Sequence, residues 1–171
     1  MFSGGVEVLQ SGGSNINATD IEELIQKVLL ALERPFDRVL YAHSSDGGYI
    51  NIRTGTDGSR PVFQDGRIFD PIQIMYFSVP PKHRRQGLYK NFVSTLESFD
   101  QYGMLWIDEV ETNYLRSWLD GWGYLRRDNS FYKVIGAPIP ASRQEAINDE
   151  LEQFERAISS DKKFRCWVKP R

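Results

Sequence analysis

The sequence is poor in cysteine and histidine and has no long apolar run. Its 171 residues include one cysteine, Cys166, and two histidines, His43 and His83. An internal disulfide needs a second thiol, and a zinc site built on several thiolates or on histidines alone needs more ligands than these, so both are excluded. A lone thiol fits a reducing compartment. No stretch of about 18 apolar residues occurs, which removes a membrane-spanning helix. The N-terminal MFSGGVEVLQSGGSN has neither a charged n-region nor a long apolar h-region, so a cytoplasmic protein is expected. Neither sign of charge dominates, with 21 Lys and Arg against 23 Asp and Glu and a net charge of -2. Without a global positive field nucleic acid is not the expected partner, and any polyanion site must be local. The phosphate-binding GxxxxGK[ST] and GxGxxG, the metalloprotease HExxH and the hydrolase GxSxG are all missing.

What is present is an ordinary globular mix, 40% hydrophobic and 26% charged, in a chain long enough for one domain spanning 1–171. A weak strand pattern covers Gly5 to Gln10. A helix is predicted from about Asp20 to Glu33, with Thr19 or Asp20 as cap, acidic residues in its first turn, and Pro35 as its stop. RVLYAHS, GYINIRT and PVFQDGRIF then read as an antiparallel meander, because SSDGG, GTDGS and QDG between and within them carry Asp-Gly turn signals. Pro71 to Val79 is too continuously apolar for a half-exposed strand and reads as central, covered on both faces. A helix from Gly87 to Phe99, a buried strand at 104–110, and a short helix capped by Asn113 and closed by Gly123 follow. A strand near Ser130 to Ile135 ends this unit. Ser142 to Ser159 forms an amphipathic C-terminal helix opened by a capping box of Ser142 and Glu145, and a tail follows it. The class is α/β or α+β, a central mixed, mostly antiparallel sheet flanked by helices, with an extra C-terminal helix over 137–171.

Chemistry concentrates at one junction, where the strand ending at Val79 passes through Pro-Pro-Lys-His-Arg-Arg-Gln-Gly into a helix. The first N–H groups of a helix lack intrahelical partners and carry the positive end of its dipole. With Gly87 allowing close approach and Lys82, Arg84, Arg85 and Lys90 nearby, this is a local anion site. A merely solvated basic loop is the plainer alternative, and both stay open on spacing alone.

Val79-x-Pro81-x-x-Arg84-x-x-Gly87-x-Tyr89 resembles the acyl-CoA diphosphate loop of the GNAT superfamily of N-acyltransferases, V-x-P-x-x-[RQ]-x-x-G-x-[GA]. The surroundings are similar too: IQIMYFSV before the loop, GLYKNFVSTLESF after it, then MLWIDEV and N-x-L-x-x-W-L-x-x-x-G-Y. The likeness covers about 72–135. It implies acetyl-CoA as cosubstrate, an amine acceptor, and a GNAT-like fold. It implies a diphosphate held at Arg84 and by the backbone amides of Arg85, Gln86, Gly87, Leu88 and Tyr89. It places the pantetheine arm along Phe77 and Val79, beside Asn113. Two departures stand out. Tyr89 replaces a small residue, and the tyrosine that would protonate the leaving thiolate falls on Leu119 or Asp120, neither of which serves. Tyr114, Ser117 and Tyr132 are then the local candidates for an acid. Of the carboxylates on the following strand, strict alternation admits one to the cleft, and Glu109 is the candidate base. The alternative to the enzyme is a catalytically silent GNAT-fold protein that binds a partner, or a second copy, through its C-terminal helix. Trp106, Trp118, Trp122 and Tyr124 read as core, and the basic C-terminal tail reads as solvated.

Overall fold

The computed structural model describes residues 7–8, 13–33, 38–55, 67–140 and 143. The predicted C-terminal helix and tail, Pro35, most of the run PVFQDGRIF and the ends of the weak strand at Gly5 to Gln10 lie outside them. Among the described residues eight strands form one sheet. They are β1 (Glu7–Val8), β2 (Gly13–Ala18), β3 (Arg38–Ser44), β4 (Tyr49–Thr54), β5 (Pro71–Ser78), β6 (Met104–Ile107), β7 (Leu125–Arg127) and β8 (Ser130–Val134), in the spatial order β1-β2-β3-β4-β5-β6-β8-β7. The helices are α1 (Ile21–Leu32), α2 (Leu88–Glu97) and α3 (Asn113–Gly121). β2 runs parallel to β3 and β5 parallel to β6, while every other neighbouring pair is antiparallel. The fold is mixed α/β with a mostly antiparallel sheet.

One face of this sheet carries Ile16, Leu40, Ile52, Ile72, Leu105 and Phe131, and these share a single buried cluster with residues of all three helices. The reason is topological. Each parallel pair needs a crossover, and right-handed crossovers moving the same way across a sheet lay α1 and α2 on the same side. They touch each other there. The parallel strands therefore end, and α1 and α2 begin, along one edge of the sheet, the usual place for a ligand in open sheets of this kind.

α1 matches its predicted span and is capped by Asp20, whose carboxylate accepts from the Glu23 N–H at 2.9 Å. Glu23 reaches back to the Thr19 N–H and hydroxyl at 2.8 and 2.7 Å, so the two residues close the turn from opposite ends. Five expectations need correction. β2 was not foreseen, since GSNINA is built from weak strand formers and its alternation of Ser14, Ile16 and Ala18 inward is faint. β6 stops at Ile107 rather than continuing to residue 110. α3 is capped by Thr112, whose hydroxyl accepts from the Leu115 N–H, and Asn113 is its first helical residue. Trp122, expected in the core, is 37% exposed, and β7 was missed as the first arm of a hairpin turning at Asp128, which takes φ 52.

Candidate functional site

Pairing between β5 and β6 runs from Pro71 opposite Met104 to Ile74 opposite Ile107 and then ceases. The last bond between them is the Asp108 N–H donating to the Ile74 carbonyl at 2.9 Å. Both chains turn away here for local reasons. On β5, the ladder with β4 passes from Ile74 opposite Ile52 to Tyr76 opposite Asn51, leaving Met75 as the extra residue of a bulge. A bulge bends its strand and inverts the phase of the side chains beyond it. Phe77 accordingly joins the helix-side core, while Tyr76, 56% exposed, turns to the other face and meets Tyr49 at 5.3 Å. The predicted cover on both faces thus holds only for the first half of β5. On the other side Glu109 takes a left-handed φ of 43, and the Val110 N–H donates to Asn129 at 2.8 Å. Between the diverging strands lies a cleft of about 280 Å³, lined by residues of both strand ends together with Tyr89, Thr112 and Leu115. Beyond Ile74, β5 faces it with a length of backbone that β6 does not pair.

The basic loop adjoins this cleft, since Ser78 just before the loop and Tyr89 just after it both line the wall. After Pro80, a turn of 3-10 helix over Pro81–His83 leads through Arg84 to Gly87, the cap of α2. Gly87 has φ 76 and supplies no side chain to the first-turn N–H groups. A Cβ built on it would meet nothing within 4 Å. The glycine is thus demanded by the backbone, and the space above the helix N-terminus is open. Arg85 is also left-handed, at φ 65. Strain of this kind in a residue with a side chain costs about 1–2 kcal/mol and gathers at functional sites. Such alternations of hand turn successive N–H groups into a concavity that suits anions. Arg84 Nε donates to the Val79 carbonyl at 3.2 Å and Gln86 Nε2 to the Lys82 carbonyl at 3.4 Å, so these side chains brace the loop.

Its anchor is Asp46, in the β3–β4 turn, with a side chain only 7% exposed. One carboxylate oxygen accepts from the Ser44 hydroxyl, and the other accepts from the Ile21 N–H at the start of α1, at 3.3 Å. That second oxygen lies 3.2 Å from His83 Nε2 and 3.7 Å from Lys82 Nζ. Chiefly the Ser44 hydroxyl holds this carboxyl below the ordinary aspartate range, so it stays ionised beside the basic loop. Gly48 makes the corner possible, because a Cβ there would stand 2.7 Å from Ile21 Cδ1. The sequence signalled SSDGG only as a turn.

The structure places the other predicted residues as follows. Tyr89 turns inward from the first turn of α2, edge-on to Phe77 at 5.0 Å, so its ring does not occupy the space above the free N–H groups. Burial raises the pKa of its hydroxyl well above the ordinary tyrosine value. Leu88 is half-buried and Asn113 exposed. Of the proposed proton donors, Tyr114 is 70% exposed on α3 with Lys90 Nζ 5.0 Å from its ring centre. Ser117 is exposed on the same helix, and Tyr132 stacks on Trp106 at 5.3 Å. None of the three lines the cleft, whereas Glu109 does. Strand alternation does not separate the two carboxylates, however: β6 ends before them, and Asp108 lines the cleft too. Asp108 is also held firmly, its two oxygens accepting from Gln73 Nε2 at 3.1 Å and from the Ser130 hydroxyl at 2.7 Å. No sequence signal ties those three residues together, because two strand pairings create the contact. Leu119 is fully buried and Asp120 exposed, so neither supplies the proton donor that the resemblance would set there.

Compared with models of known protein families the chain matches none, and no curated protein matches it.

Proposed function

We propose that this chain binds an acyl-CoA, with acetyl-CoA as the expected cosubstrate, and transfers the acyl group to an amine as a GNAT-like N-acyltransferase. The observation that carries the reading is a coincidence of position: the cleft between two diverging parallel strands adjoins an uncapped, basic helix N-terminus. A diphosphate suits the N–H groups of Gly87, Leu88 and Tyr89 with Arg84, Arg85 and Lys90 around them. A pantetheine arm, which carries amides, suits the unpaired backbone of β5 from Met75 to Val79, where it would bond as a short added strand. The thioester then lies where the strands part, and rate enhancement comes mainly from positioning and from polarisation of its carbonyl by backbone donors.

Gly87→Glu tests the reading, because it sets a carboxylate in the open space above the helix N-terminus. The expected outcome is loss of at least 100-fold in acetyl-CoA affinity by calorimetry, with the thermal transition still cooperative. Unchanged affinity would remove the loop from the account. A second reading, a binding scaffold of the same shape without catalysis, is favoured by the buried Leu119 and the exposed Asp120 where the family's acid would stand. Acetyl-CoA binding without thiol release in the presence of any amine would support it.

A further inference from the structure

The loop that carries the uncapped end of α2 is tied to the rest of the fold at few points. Lys82, Arg84, Arg85, Gln86 and Gly87 are exposed, and the bonds of Arg84 to Val79 and of Gln86 to Lys82 stay within the strand end and the loop. Among the described residues, the polar side-chain contacts from the loop to another element converge on Asp46. Lys82 reaches it at 3.7 Å from a side chain 64% exposed, a pairing worth little. His83 is different, since its side chain is only 21% exposed and its Nε2 stands 3.2 Å from the same carboxylate oxygen. That nitrogen is buried and makes no hydrogen bond. The approach therefore gains little from alignment and depends on charge. On the other side of the contact Asp46 is a fixed anion, its oxygens accepting from the Ser44 hydroxyl and from the Ile21 and Gly48 N–H groups.

We infer that His83 is a proton-operated latch: as an imidazolium it closes the basic loop on Asp46 and readies the α2 N-terminus for an anion, and loss of the proton releases the loop. This rests on the acyltransferase reading of the loop and adds its regulation. Histidine is the side chain whose charge ordinarily changes within the physiological range. Asp46, from the β3–β4 turn, attracts the imidazolium; Lys82, from the loop itself, repels it more weakly because its charge stands in solvent. From α1 the facing group is the uncharged Ile21 N–H, which shares the Asp46 oxygen. Closure has a consequence for the anion site, because Arg85 and Gly87 hold left-handed backbone only while the loop keeps its shape. Their geometry aims the N–H groups at a bound anion. An anion there favours the closed loop and, by reciprocity, uptake of a proton. Acid strengthens binding, and base weakens it.

The test uses the full chain and acetyl-CoA lacking its 3′-phosphate, whose diphosphate diester keeps one charge state throughout, titrated by calorimetry in two buffers of different ionisation enthalpy. The wild type is expected to bind about fivefold or more tightly at about pH 5.5 than at about pH 8, and to take up protons on binding between them. His83→Gln should show the weaker affinity at both pH values and no proton uptake, and Asp46→Asn should lose the pH dependence in the same way. Lys82→Ala should bind more weakly throughout yet keep the dependence, which separates the latch from the general charge of the loop. Urea denaturation without ligand gives a second readout. The wild type should gain stability over His83→Gln as pH falls through this range, because a partner for the protonated form stabilises at low pH and that contribution is lost as pH rises. Should Asp46→Asn not fold, His83→Gln and Lys82→Ala decide. Equal pH dependence in the wild type and His83→Gln would overturn the latch. Absence of binding by the wild type at every pH would instead overturn the acyltransferase reading, and the urea series would then decide the latch by itself.

Discussion

Single residues here act mostly by joining elements that are distant in sequence. Asp46 ties the β3–β4 turn, the start of α1 and the basic loop through one carboxylate, and it places the loop that the proposed diphosphate would meet. Glu23 acts locally instead, closing the entry into α1 through Thr19 and Lys27, and its pH dependence follows from those contacts. Hydrogen bonds from Thr19, with Lys27 at 3.0 Å, bring its pKa down from 4.5 to about 2. A depressed carboxyl pKa adds stability that is complete above the unfolded-state value and fades as pH falls through the folded one. Wild-type stability should therefore fall between about pH 4.5 and pH 2 in part because of this group. Glu23→Gln should flatten the stability–pH curve in that window without changing its shape above pH 6, as read by urea denaturation across pH. An identical slope in both proteins would show that Glu23 plays no such role.

Elements owe their limits to contacts that no single stretch of sequence contains. α1 was legible because its apolar spacing, its cap and its acidic first turn agree. The loop and α2 were legible for the same reason, with Gly87 marking the boundary. β2 was hidden by weak strand formers that adopt extended structure only because β3 supplies a partner ladder. Strict alternation could not separate Asp108 from Glu109, because β6 ends at Ile107 and Glu109 takes a left-handed φ, so both line the cleft. Element junctions also carry measurable energy. The Tyr124 hydroxyl donates to Glu97 Oε1 at 2.7 Å, while Lys133 Nζ holds Glu97 Oε2 at 3.2 Å, and together they join the end of α2 to the β7–β8 hairpin. Tyr124→Phe removes one charge-assisted bond and should cost about 1.5 kcal/mol in chemical denaturation. A cost near zero would show that the ion pair suffices on its own.

At the scale of the molecule, one topological fact organises the proposed chemistry: right-handed crossovers put α1 and α2 on one face and gather the C-terminal ends of the parallel strands and these helix N-termini along one edge. The basic loop, the Asp46 anchor and the cleft all lie along it. Net charge is nearly balanced over the chain, yet along this edge a basic loop stands beside a cleft lined by Asp108, Glu109 and Glu111. The most direct measurement is a calorimetric titration of the purified chain with acetyl-CoA at low and high salt. Saturable one-to-one binding in the micromolar range that weakens but persists at high salt is expected, because backbone contacts along β5 are not screened as the loop charges are. No heat of binding from a protein shown to be folded, or binding abolished by salt, would contradict it.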